Sequence, residues 1–123
     1  MVILLFSCPK LLNFFSQAQL NFFHHLIAET HLDEQEITRE SHRLGRMHST
    51  YAQFGLKAHF LDLFQLHLLN LLKNLKIDDA QEKAVMLAGW ETLLGYIIEC
   101  INFAYTQALC GFKSENMKCP MEE

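Results

Sequence analysis

The stretch Leu44-Gly45-Arg46-Met47-His48 decides how this chain is read. Counting on from Ile37, positions 37, 41, 44 and 48 recur at helical spacing and share one face, so the His48 imidazole points inward with Ile37 and Leu44. An inward histidine needs a partner for its ring nitrogens. A nearby carbonyl serves as well as a metal ion, so the residue reads either as a satisfied core histidine or as a ligand.

The segments around it are helical too. Upstream, Leu20, Phe23 and Ile27, flanked by Phe22 and Leu26, form a broad apolar stripe that predicts a buried helix over 17–31. Asp33 offers an N-cap, with Glu36 as its reciprocal partner and Leu32 placed to pack on Ile37 as a hydrophobic staple. The helix that starts there runs through His48 and breaks at Tyr51-Ala52-Gln53-Phe54-Gly55, where glycine supplies the permissive backbone.

Downstream, Phe60, Phe64, His67, Leu68, Leu71, Leu72 and Leu75 repeat every three or four residues, and His67 reads as a packed side chain. Asp79 and Glu82 form a second capping pair, opening a helix whose buried side carries Leu87, Trp90, Leu94, Ile97, Ile98, Ile101, Tyr105 and Ala108. At about 30 residues it spans about 45 Å. Gly89 and Gly95 weaken its propensity, and close approach of a neighbouring helix is the expected return. The fold class is all-α: one domain over 1–112, then a polar tail over 113–123.

Composition narrows the function classes. The 123 residues are 50% hydrophobic and 20% charged, enough for one domain with a sizeable core. A net charge of −4 with scattered lysines and arginines excludes a phosphate-neutralising surface, so no nucleic-acid partner is expected. Cys8, Cys100, Cys110 and Cys119 are widely spaced with no CxxC pair, which reads as reduced thiols in a cytoplasmic protein. The run Val2 to Phe6 is too short to span a bilayer and lacks signal-peptide flanks, so no membrane partner is expected either.

Taken together, the chain resembles the globin superfamily, most closely the divergent nematode and neuroglobin-like globins. The resemblance runs from about Leu4 to about Leu109. Leu44-Gly45-Arg46-Met47-His48 is similar to the family's proximal-histidine segment, and Phe54-Gly55-Leu56-Lys57-Ala58-His59-Phe60 resembles the corner into its penultimate helix. Ala88-Gly89-Trp90-Glu91-Thr92-Leu93-Leu94-Gly95 is similar to the final-helix pattern, and Pro9 with Phe15 to the family's proline and haem-stacking phenylalanine. Only Met1 to Cys8 precedes Pro9, so the expectation is a globin-like fold that is N-terminally shortened.

The resemblance implies heme b (iron protoporphyrin IX) bound through His48 as the metal ligand, in an apolar pocket that shields the porphyrin. Leu44 would pack beneath it, Phe15 would stack on it, Phe23 would face the pocket, and Leu56 and Phe60 would line the corner. Gln19 and Gln17 stand 29 and 31 residues before His48, in the distal window, and helical phase favours Gln19. A glutamine amide donates a hydrogen bond to bound gas without ligating iron, which implies an open sixth position. His24 and His25 compete for that role but stand too close to His48, and read as surface or portal residues. The implied function is reversible binding of oxygen or another diatomic gas, not enzymatic, with a homodimer as a further option. The alternative is a haem-free globin relative serving as a helical interaction module.

Overall fold

The computed structural model describes residues 9–113, with every side chain there except those of residues 9, 11, 12, 15, 112 and 113. All regular structure among the described residues is helical. Helix α1 (Pro9–His24) runs into a π-helical turn (His25–Glu29), then come α2 (Glu34–Ser49), a 3-10 turn (Ala52–Phe54), α3 (His59–Lys73) and α4 (Ala80–Lys113). The polar tail expected from 113 onward lies almost wholly outside the described residues.

Helix α1 starts well before the expected boundary. Proline suits the first helical position, where its fixed φ is already helical and its missing N–H had no partner to lose. The buried helix expected over 17–31 is not formed as such: residues 16–21 are all exposed, and Leu20 retains 64% of its accessible surface. The π-helical turn resets the helical phase, so that Leu26 is sealed in the core while Ile27 faces out.

The corner into α2 is tight. His31 and Leu32 both adopt left-handed φ values, 53° and 60°, each costing about 1–2 kcal/mol outside glycine. The Leu26 carbonyl holds the corner by accepting the Leu32 N–H and the Thr30 hydroxyl, both at 2.8 Å. Asp33 caps α2 as expected, its Oδ2 accepting the Glu36 N–H at 3.0 Å. The reciprocal half of the box is absent because the Asp33 N–H donates to the Thr30 carbonyl and the Glu36 carboxylate is engaged by Arg39 and His25. Leu32 is exposed, so the staple on Ile37 does not form either.

On α2 the buried positions are Ile37, Ser41, Gly45 and Ser49, four residues apart. The inward face is therefore rotated from the expected 37-41-44-48 set, and Leu44 and His48 lie half-buried on its flank. Small side chains put the α4 backbone within reach: a Cβ on Gly45 would stand 2.4 Å from the Ile101 carbonyl oxygen and 2.9 Å from the Ala104 Cβ. A Cβ on Gly89 or Gly95 would meet nothing within 4 Å, so the close approach expected of those two belongs to Gly45.

Helix α4 is capped as expected, the Asp79 carboxylate accepting the Gln81 and Glu82 N–H groups at 2.8 and 3.2 Å. Its 34 residues extend about 51 Å. Leu94, Ile97, Ile98, Ile101, Ala104 and Tyr105 are buried, and Ile97 and Ile101 join Leu26 and Ile37 in the central cluster. By length and apolarity alone, Ala80–Gly111 could cross a bilayer. Here about 28% of its most apolar stretch is buried within the bundle.

Helix α3 covers α4 less deeply and has no fully buried residue. Leu61, Phe64, Leu68 and Leu72 face inward, whereas His67, Leu71 and Leu75 are exposed, so the stripe expected from Phe60 to Leu75 is only partly used. A helix resting mainly on one neighbour buries a narrow seam rather than a broad face. The cysteines divide: Cys100 is a buried free thiol, while Cys110 is disulfide-bonded. That corrects the expectation of four reduced thiols, which rested on linear spacing and could not register proximity in the fold.

Candidate functional site

His48 sits in the last turn of α2, next to the buried Ser49 and three residues past Gly45, which meets α4. Its Nδ1 is buried without a hydrogen-bond partner. The carbonyls of Arg46 and Met47 in the same turn accept the hydroxyls of Ser49 and Thr50, at 2.6 and 2.7 Å, and the His48 carbonyl accepts the Tyr51 N–H at 3.0 Å. Burial holds the imidazole pKa below its ordinary 6.5, so the ring is neutral at neutral pH. A neutral imidazole is the form that ligates a metal.

The other expected site residues separate into groups. Leu44 and Phe23 pack against the central cluster, Phe23 edge-on to Trp90 of α4 at 5.5 Å and to Phe22 at 5.4 Å. Leu56 and Phe60 are half-buried at the corner into α3. That corner is tied to α4 by the Tyr105 hydroxyl, which donates to the Leu56 carbonyl at 3.0 Å. Gly55 turns the chain there with φ 95°, as its place in the sequence implies.

Gln19 is not brought to His48 by any described contact and its side chain is exposed. Gln17 bonds Asn21 along the same surface at 2.9 Å. Phe15 lies on α1 and its side chain is outside the described set. His24 and His25 are engaged by carboxylates at the corner before α2.

Among the described residues no three His, Cys, Asp or Glu side chains come together, so His48 belongs to no such metal-ligating cluster. A porphyrin carries the remaining iron ligands itself and asks the protein for an axial imidazole and an apolar wall. The open depression lined by Glu34, Gln35, Thr38 and Arg39 lies at the opposite end of α2.

Gly45, Ser41 and Ser49 gave a signal that helical counting on apolar residues passes over, a small residue every fourth position. The Tyr105–Leu56 and His25–Glu36 contacts join residues far apart in sequence, and no local pattern announces them. No family model, curated protein or solved structure matches this chain.

Proposed function

We propose that the chain is a globin-like protein that holds heme b through His48 and binds oxygen or another diatomic gas reversibly, without catalysing a reaction. The observation that carries this reading is the state of His48: neutral by burial, with Nδ1 inside the fold and free of any hydrogen bond. The sequence resemblance around residues 44–60 and 88–95 points the same way.

When bound, the haem supplies an iron with an open coordination position for the gas. The chain's own residues do the rest. His48 would hold the iron, and Leu44 with the corner residues Leu56 and Phe60 would help keep water from the porphyrin. Phe23, edge-on to Trp90, would add an aromatic side chain on the α1 side. The donor role expected of Gln19 rests on the resemblance, because its side chain is open to solvent. The test is a carbon monoxide difference spectrum of the ferrous, haem-loaded protein. A five-coordinate ferrous form that takes up the gas supports the reading, and a six-coordinate low-spin form that resists it counts against an open position.

A haem-free interaction module is favoured by a different observation. Leu20 on α1 and Leu63, Leu66 and Leu71 on α3 are large apolar side chains facing solvent, the kind of surface that engages another helix or a second copy of the chain. Size-exclusion chromatography with light scattering, with and without haem, separates the two: the module reading predicts self-association or partner binding that ignores haem.

A further inference from the structure

His25 lies in the π-helical turn that ends the first helical segment, and both of its ring nitrogens face carboxylates. Nδ1 is 2.6 Å from Glu29 Oε2 on the same turn, and Nε2 is 3.0 Å from Glu36 Oε1 on α2. A neutral imidazole has one N–H and one lone pair, so between two carboxylates it can donate to only one and must set a lone pair against the other. The imidazolium donates to both. The ring therefore spans the strained corner at His31 and Leu32 only while it is charged.

We infer that this corner is a proton-controlled latch, in which the His25 imidazolium clamps Glu29 to Glu36 and loss of its proton releases the first helix to pivot at the π-helical turn. The surrounding charges set the clamp in one direction. On the His25 side, His24 Nδ1 stands 3.6 Å from Glu29. On the α2 side, Arg39 bonds Glu36, with Nε at 3.1 Å, and lies 3.5 Å from Glu40, which Arg43 also engages. Arg39, with His25 after it, pushes the Glu36 pKa down to about 2, so that carboxylate is ionised throughout the physiological range and the histidine is the group that titrates. Hydrogen bonds to Glu29 and Glu36 raise the His25 pKa above 6.5. A raised histidine pKa gives a tie that is complete below 6.5 and lost as pH rises through the higher, folded-state value.

What the latch would release is the outer part of α1: Leu26 is buried and Phe22 and Phe23 pack on the central cluster, while residues 16–21 are exposed. Among the described residues no other side-chain ion pair or side-chain to side-chain hydrogen bond joins the first helical segment to α2. The π-helical turn, with its wider register, is a natural pivot.

The test is amide hydrogen exchange of residues 16–24, corrected for intrinsic rates between pH 5 and 9, with the His25 midpoint read from ring-nitrogen NMR of the same intact protein. Protection over 16–24 is expected to fall about two- to five-fold as pH passes the His25 midpoint, the range that exposed ion pairs deliver, while α2 to α4 stay level. Glu36→Gln should abolish the step, because an amide pairs with a neutral ring as readily as with a charged one. His25→Ala should show the low-protection state at every pH. A native profile that is flat through the His25 midpoint, or an undiminished step in Glu36→Gln, overturns the latch. None of these readouts depends on haem, so the outcome stands apart from the gas-binding proposal.

Discussion

Gly45 of α2 faces the carbonyl oxygen of Ile101 on α4 so closely that a Cβ at that position would stand 2.4 Å from it. The obstacle is backbone, together with the Ala104 Cβ, and neither can swing aside as a long side chain could. The helix that carries His48 is therefore seated on α4 by the absence of a side chain, and its seating fixes where the imidazole lies.

Gly45→Ala is expected to destabilise the protein by about 1–3 kcal/mol through overpacking. Gly89→Ala, in open space within α4, is expected to stabilise it by about 0.5–1 kcal/mol, because alanine costs less backbone entropy in a helix. Urea denaturation of both variants checks the pair. Equal effects of the same sign would remove the special status of the α2–α4 contact.

The Thr38 and Tyr96 hydroxyls share a hydrogen bond across the same helix pair. Tyr96→Phe and Thr38→Val are each expected to cost about 0.5–1.5 kcal/mol. The double variant should cost less than the sum, because either change alone already breaks the bond. Strict additivity in the double-mutant cycle would mean the two hydroxyls act independently.

His48 gives the stability a definite pH dependence. Its folded pKa lies below 6.5 through burial, so the unfolded chain binds the proton more readily, and stability falls as pH drops from 6.5 toward the folded value. The carboxylates Glu29 and Glu36, whose pKa values are lowered, lose their contribution only below their ordinary 4.5, which separates the two windows. The urea midpoint of the native protein should decline as pH falls below 6.5, and that decline should flatten in His48→Leu. A decline of the same size in the variant would assign it to another group.

Much of this architecture can be read along the chain, and the remainder has identifiable reasons. Asp33 and Asp79 announce two helix starts because a cap is a local event, completed within three residues by an N–H whose position follows from the helix itself. Gly55 announces the break between α2 and α3 in the same way. The phase of α2 is misjudged because apolar counting gives weight to Leu44 and His48, whereas the buried positions after Ile37 are the small residues Ser41, Gly45 and Ser49, and Gly45 meets the α4 backbone. Leu71 and Leu75 look buried along the sequence and are exposed in the structure, since the periodicity of a helix says how wide its apolar side is but not how many neighbours arrive to cover it. At the site, His48 stands out by type and setting. Gln19 stands out by its distance along the chain from His48, and distance along the chain does not bring its exposed side chain to the imidazole.

The central claim is that His48 holds haem, and it is tested most directly by the absorption spectrum of the purified protein after titration with haem. A stoichiometric Soret band in the native protein, lost in His48→Ala and unaffected in His67→Ala, whose imidazole is exposed on α3, is the expected result. A native protein that yields no Soret band, or a His48→Ala variant with an unchanged spectrum and haem content, would contradict it.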